Sequence, residues 1–354
     1  MSFRAYARRH AARVDRLLES YFRTKRKEIH ARIPQIANYV DFFAQANRGG
    51  GRIRAVLAIL GYETAGGKNL NEIAKVALAL ELFQTSILAQ DDFMDKSALR
   101  RGRPSLHSVI TNWHKKEKML GDSLHFGASQ AINISDIGFF LASDLIVQSK
   151  FPAENKIKAI SEFNKIVTYT ALGQILDINI PAERGERKEK DVLTVERFKT
   201  AEYTAIGPLT MGAYLAGARP NLIKNLYDFG MNLGIAFQIQ DDLKGIFGRE
   251  EETGKSAKGD IEEGKVTLLY TYAIKRAKSD KRKVLEKFYG KGSVSDTQAE
   301  EVREIFEETG ARDYAVDYSK KLLEKARAII PKLSGNAKIK ELYEGLCDYV
   351  LVFK

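Results

Sequence analysis

Apolar residues crowd two stretches of the chain and recur at helical spacing almost everywhere else. Between Ile73 and Ala89 only Lys75, Glu81, Gln84, Thr85 and Ser86 are polar, and Met231 to Ile239 is similarly apolar. A helix that is greasy on nearly every side belongs among other helices rather than on a surface. Residues 1 to about 45 read as two amphipathic helices with a stripe of Tyr6, Val14, Leu17, Leu18 and Phe22. Further helices are expected over 131–148 and 153–180. Another carries Lys199-Thr200 and kinks at Gly207-Pro208. Amphipathic helices then fill 266–354, with a break at Gly290-Lys291-Gly292. Residues 111–125 read as a polar excursion, Pro181 through Asp191 as a charged loop, and Gly248 to Gly264 as a mobile loop over a ligand. No strand-like alternation or linker interrupts this pattern. Only 7 prolines in 354 residues, with abundant Ala, Leu, Lys and Glu, favour helix. The expected fold is all-α, in one domain spanning 1–354.

Both apolar helices close in carboxylates, Gln90-Asp91-Asp92-Phe93-Met94-Asp95 and Gln240-Asp241-Asp242-Leu243-Lys244-Gly245. Ionised carboxylates at such a place need a counter-charge. Asp91 and Asp95, four residues apart, project from one helix face. Hard oxygen ligands with room for water and phosphate suit Mg²⁺. A basic hook follows closely, Lys96-Ser97-Ala98-Leu99-Arg100-Arg101-Gly102-Arg103-Pro104, placed to share a phosphate with the metal. Upstream, Arg48-Gly49-Gly50-Gly51-Arg52-Ile53-Arg54 opens a helix with glycines and arginines, a weaker anion-binding signal. Downstream, Lys255, Lys258, Asp260 and Lys265 follow the second acidic cluster. Together these features predict a metal–diphosphate site.

Charge and composition narrow the partners. A net charge of +11 suits a polyanionic ligand, nucleic acid or an anionic membrane. Much of it sits early, at Arg4, Arg8, Arg9, Arg13, Arg16, Arg23, Lys25, Arg26 and Lys27, where a solvated helix face accounts for it. Asp15 and Glu19 in that stretch argue against a transit peptide. The bases lack aromatic interleaving, so no nucleic acid is expected. Asp136 and Asp144 interrupt the apolar run from Ala131 to Val147, so no transmembrane helix is expected either, only peripheral membrane contact at most. The single Cys347 excludes an internal disulfide and points to a reducing, cytoplasmic setting. His107, His114 and His125 lack metal-ligand spacing, so zinc is not expected.

In this order and combination the motifs resemble the trans-isoprenyl diphosphate synthases of the polyprenyl synthetase family, over about 45–270, most closely the geranylgeranyl diphosphate synthases. Asp91-Asp92-Phe93-Met94-Asp95 with Arg100-Arg101 matches the family's first aspartate-rich motif. Gly173-Gln174 with Asp177, Lys199-Thr200, Phe237-Gln238 with Asp241-Asp242, and Gly254-Lys255 leading to Asp260 and Lys265 match the later ones. The resemblance implies an isoprenoid-synthase-type helical bundle around a deep central cavity, usually a homodimer. It implies Mg²⁺-dependent condensation of an allylic diphosphate with isopentenyl diphosphate. Asp91, Asp95 and Asp241 would hold the metal, with Asp92 beside them. Arg100, Lys199, Lys255 and Lys265 would take charge on the departing diphosphate. Arg54, Gln84 and Arg101 would bind isopentenyl diphosphate, Phe237 and Gln238 would lie near it, and Thr200 near the developing cation.

Three positions depart from the family pattern. Gly51 replaces a usual lysine, for which Arg48 or Arg52 would have to compensate in the substrate site. Gly245 replaces the last aspartate of the second motif, and Ser135-Asp136 stands where Gly-Asp is common. Product length follows from depth along the helix before Asp91, about 5.4 Å per turn. Ile87 and Ser86 stand where short-chain members carry blocking aromatics, so the pocket floor is expected lower, at Phe83 or Leu82. This predicts a C20 product, with C25 or longer the main alternative. A class I terpene cyclase and a catalytically weak partner subunit are the competing readings; the first is opposed by Asp241-Asp242 with Lys255 and Lys265, the second by retention of both carboxylate pairs.

Overall fold

The computed structural model describes residues 1–183, 187–248 and 258–353. Among these the only strands are β1 (Leu99–Arg100) and β2 (Arg103–Pro104); all other regular structure is helical. The all-α expectation holds. The chain divides into two compact units, one of residues 5–160 and 211–217, the other of 1–4, 161–210 and 218–354.

The first unit is built on α1 (Phe3–Arg32), α2 (Asn38–Asn47), α3 (Ile53–Thr64), α4 (Leu70–Met94), α5 (Leu106–Lys116) and α6 (Ser123–Val147). Helix α4 is its core: Ile73, Val76, Leu80, Leu82 and Phe83 are fully buried, packed against α3 and α6. Its start is fixed by Asn69, whose side chain accepts from Glu72 N at 3.1 Å. The stripe on α1 is buried at Tyr6, Val14, Leu18 and Phe22. The supposed polar excursion is divided between the end of α5, a turn over 117–122 and the start of α6; His107 and His114 of α5 are buried, and His125 of α6 is exposed. Asp136 and Asp144 are exposed, and two charges do not keep α6 from being long and apolar enough, by length and composition alone, to cross a membrane. Only a third of that stretch is buried; Ile132, Ile137, Phe140 and Val147 are exposed.

The second unit receives most of α7 (Ala153–Ala182) and continues through α8 (Glu189–Val195), a π-helical segment (Glu196–Ile206), α9 (Gly207–Leu215, shared with the first unit) and α10 (Pro220–Phe247). It ends in α11 (Gly259–Glu263), α12 (Leu268–Arg276), α13 (Ser279–Phe288), α14 (Asp296–Glu308), α15 (Ala311–Leu333) and α16 (Ala337–Val350). Helix α10 packs on the π-segment and on α15. The charged loop is shorter than the sequence suggests, since α7 runs through Pro181 and α8 starts at Glu189. Glycines let the π-segment come close: a Cβ on Gly234 would lie 2.6 Å from Ala201 Cα, and one on Gly173 only 2.2 Å from Lys199 N. Packing at that distance is open only to glycine.

Candidate active site

In the first unit the acidic motif sits where α4 ends, at the negative pole of a helix, so a neighbouring cation is required. The basic hook supplies it by folding as a hairpin. Leu99 pairs with Pro104 and Arg100 with Arg103, while Arg101 and Gly102 take left-handed φ of 54° and 69°, the turn chemistry of a two-residue loop. Arg100 Nε then donates to Asp92 Oδ1 at 2.6 Å and its Nη2 to Asp91 Oδ2 at 3.2 Å. Asp92 is buried; Asp91 and Asp95 are half-buried at the helix end.

The same hairpin carries Arg101 onto the glycine loop, where Nη1 donates to Gly49 O at 3.0 Å. A Cβ on Gly50 would lie 2.9 Å from Arg101 Cζ and displace the guanidinium, and its left-handed φ of 87° favours glycine there. A pocket opens here, lined among others by Arg48, Gly49, Gly50, Arg52, Gln84, Leu88, Asp92, Arg100, Arg101 and Arg103. Loss of solvent around the Arg101 guanidinium, and then the like charge of Arg52, lowers its hold on its proton. Such a concentration of guanidinium groups fits an anion. Arg52 is itself neutralised: buried, with φ 51°, its Nε donates to Asp15 Oδ1 at 2.8 Å and its Nη1 to Glu81 Oε2 at 3.2 Å. Arg48 is exposed and lines the pocket. Arg54 is buried on α3 outside this lining. Arg103, which sequence reasoning passed over within the hook, lines the pocket.

The second unit repeats the arrangement. Asp241 is exposed, whereas Asp242 is buried on a cation: Lys265 Nζ donates to Asp242 Oδ1 at 2.8 Å, and Gln238 Nε2 donates to the same oxygen at 2.7 Å. Thr200 Oγ1 donates to Gln238 Oε1 at 2.7 Å, tying the π-segment to α10. Lys199 Nζ pairs with Asp177 of α7. Phe237 is half-buried beside Gln238. A Cβ on Gly245 would lie 2.1 Å from Asp260 Oδ2, so a carboxylate from α11 occupies the space next to the position where the family's last aspartate begins. Lys255 and Gly254 lie outside the described residues.

One buried residue of this group carried no sequence signal. Glu196, 3 % exposed, has no hydrogen-bond partner on either carboxyl oxygen among the described residues. Burial, and then the charge of Asp242, pushes its carboxyl well above the usual range. Burial also raises Asp242, opposed by Lys265. Burial alone would lower the Lys265 ammonium, but Asp242, Asp260 and Asp241 outweigh it and hold the proton.

The chain-length positions fall in the first unit. Phe83 is fully buried, its ring 5.8 Å from that of Phe139. Ser86 is fully buried too, and a Cβ on Gly138 would lie 2.0 Å from its Oγ and 2.6 Å from Phe43 Cζ. Ile87 is half-buried.

Among the described residues no three carboxylate, imidazole or thiol groups converge on one point. Each motif by itself offers hard oxygen donors, Asp91 and Asp95 in the first unit and Asp241 in the second, and Mg²⁺ takes one or two carboxylates and completes its shell with water and phosphate oxygens.

Comparison with known proteins agrees with this chemistry. The chain is 31% identical to a geranylgeranyl diphosphate synthase of Sulfolobus acidocaldarius, over 78% of this chain and 77% of the relative. It is 31% identical to a geranylfarnesyl diphosphate synthase of Aeropyrum pernix, over 86% and 90% of the two chains. A crystal structure of geranylgeranyl pyrophosphate synthase from Corynebacterium glutamicum, complexed with isoprenyl diphosphate and magnesium, superposes with a TM-score of 0.92 at 29% identity, covering 98% of this chain and 99% of that one. The polyprenyl synthetase family model matches residues 36–308, a span holding both aspartate motifs, the arginine hairpin, the Lys199-Thr200 segment and Lys265. The chain belongs to the polyprenyl synthetase family.

Proposed function

We propose that this trans-prenyltransferase condenses isopentenyl diphosphate with an allylic diphosphate of C5 to C15, with Mg²⁺, to a C20 trans-prenyl diphosphate. The observation that carries the reading is the repeated split within each motif. In both, the second aspartate is buried on a cation (Asp92 on Arg100, Asp242 on Lys265) while the first lies nearer the surface. That division leaves Asp91, Asp95 and Asp241 as the metal-binding carboxylates. Mg²⁺, when bound there, supplies Lewis-acid charge to the leaving diphosphate.

The chain's own groups do the rest. Arg100, Lys199 and Lys265 turn part of their donor capacity from their carboxylates to the diphosphate as negative charge appears on it. Lys255 is assigned the same task by family likeness. Arg48, Arg101, Arg103 and Gln84 hold the isopentenyl diphosphate, whose double bond attacks the allylic cation. Thr200 has its hydroxyl proton committed to Gln238, so its lone pairs are the part that can face positive charge. The released diphosphate takes the proton that completes the reaction, as in the family. A C20 product is supported by the geranylgeranyl synthases among the relatives and by the absence of an aromatic residue at Ser86 and Ile87; the geranylfarnesyl relatives make C25 the alternative. All residues act as one domain in this reading, and the enzyme works in the cytoplasm.

A second copy of the chain covers the outer face of α6, where Phe140 is 78% exposed beside Ile137 and Val147. Phe140→Asp should convert a dimer to monomers in sedimentation velocity; a wild-type chain that sediments as a monomer contradicts this. The function itself is tested with Mg²⁺, isopentenyl diphosphate and each of the C5, C10 and C15 primers, sizing products by chromatography. A C20 diphosphate is expected. A hydrocarbon would indicate a cyclase, and no product from any primer would refute the reading.

A further inference from the structure

Behind Lys265 lies a set of contacts that the reaction's own residues do not account for. Helix α11 ends in Gly264, left-handed at φ 70°, which turns the chain so that Lys265 N donates to Asp260 O at 3.1 Å. The turn after α13 is zipped to this segment through the backbone. Gly290 N donates to Ile261 O at 2.8 Å, Gly292 N to Glu262 O at 3.2 Å, and Val294 N to Glu262 Oε1 at 3.2 Å. Tyr289 closes the zipper: its hydroxyl donates to the carbonyl of Lys265 at 2.6 Å. Its ring is buried, stacked on Tyr270 at 4.4 Å and edge-on to Phe306 at 6.0 Å, so the hydroxyl has little freedom to point elsewhere.

Gly264 and Gly290 touch backbone to backbone. A Cβ on Gly264 would lie 2.4 Å from Gly290 Cα, and one on Gly290 would lie 3.1 Å from Gly264 Cα. Both are left-handed, at 70° and 74°, so conformation and space each call for glycine. The Gly290-Lys291-Gly292 break is thus more than a gap between helices. It is the surface on which the Lys265 backbone rests. Lysine is a long side chain with several rotors, and a fixed backbone limits where its ammonium can reach. Here it reaches Asp242, and through Asp242 and Gln238 the network extends to Thr200.

We propose that Tyr289 and Gly290 are positioning residues for the condensation: they clamp the Gly264-Lys265 backbone and so aim the Lys265 ammonium at Asp242 and the leaving diphosphate. The inference rests on the reading of Lys265 as a diphosphate-facing cation. Tyr289→Phe removes the hydroxyl and keeps the ring stack. In the full-length enzyme it is expected to lower kcat about five- to tenfold, the scale of one lost hydrogen bond to a positioned group, with the KM for isopentenyl diphosphate unchanged.

The discriminating measurement is a cycle with Lys265→Ala. If Tyr289 acts through Lys265, adding Tyr289→Phe to Lys265→Ala lowers kcat no further. A loss of the same factor in both backgrounds, or an unchanged kcat in Tyr289→Phe alone, overturns the inference and leaves the reading of Lys265 standing. An unimpaired Lys265→Ala overturns that reading and the inference with it.

Discussion

Gly173→Ala tests how the site is held. A Cβ at this position would lie 2.2 Å from Lys199 N and 2.6 Å from Lys199 Cα, both backbone atoms that no rotamer change can move aside. Ordinary contact needs about 3.5 Å, so the π-segment or α7 must retreat by about 1 Å. The segment is also held by α10, where a Cβ on Gly230 would lie 2.9 Å from Ile206 Cα and one on Gly234 2.6 Å from Ala201 Cα, leaving little slack. The movement therefore falls on Lys199 and Thr200, loosening the pair with Asp177 and the 2.7 Å bond from Thr200 to Gln238. Overpacking of this kind costs about 1–3 kcal/mol, and a misplacement of about 1 Å in a catalytic group can cost about 100-fold in rate. The assay pairs thermal melting with the rate of incorporation of radiolabelled isopentenyl diphosphate. Gly335→Ala, with no atom within 4 Å of the added methyl, is the control and should change neither. Wild-type kcat and melting temperature in Gly173→Ala would refute the reasoning.

Three further outcomes are expected. Ile87→Phe should shorten the product at unchanged melting temperature, because Ile87 is half-buried; Ser86→Phe should shorten it too but lose about 1–3 kcal/mol by crowding Gly138 and Phe43, and C20 from both would remove the pocket assignment. Glu202 is buried, and burial, opposed by Arg197, raises its carboxyl from 4.5 to about 7. The folded state keeps a proton that the unfolded chain releases, so wild-type stability should fall between those values as pH rises. Urea unfolding of Glu202→Gln should lack that slope, the difference reaching at most about 3 kcal/mol above the upper value; parallel pH profiles would contradict it. Gly51 is not among the left-handed glycines, so its backbone does not oppose a side chain, and Gly51→Lys should lower the KM for isopentenyl diphosphate about fivefold by adding a cation near the arginine pocket, whereas an unchanged KM would argue that the existing arginines already suffice.

Helices and motifs were legible because they are written locally. A run that is apolar on every side can only be buried helix, and carboxylates closing it announce a cation even before Arg100 is located. What escaped depends on partners distant in sequence. Arg52 has the same local context as Arg54, yet its charge is taken by Asp15 and Glu81, two carboxylates from other helices. Glu196 reads as an ordinary helical glutamate until folding buries it beside Asp242. The π-segment was not anticipated, the expected kink at Gly207-Pro208 lying just beyond its end; the glycines that let α7 and α10 approach it, Gly173, Gly230 and Gly234, fall in no single window. The hook was read for its charge and not for its two-strand hairpin, whose strands are too short to show alternation.

The division of labour within each acidic motif is open to one direct measurement, titration calorimetry of inorganic diphosphate with Mg²⁺ against the wild-type enzyme, Asp91→Asn and Asp241→Asn. Asp241 is exposed, so its variant should melt like the wild type yet lose Mg²⁺-dependent diphosphate binding, and Asp91→Asn should lose it as well. Undiminished binding by both variants would contradict the assignment of the first aspartates as the metal-holding residues.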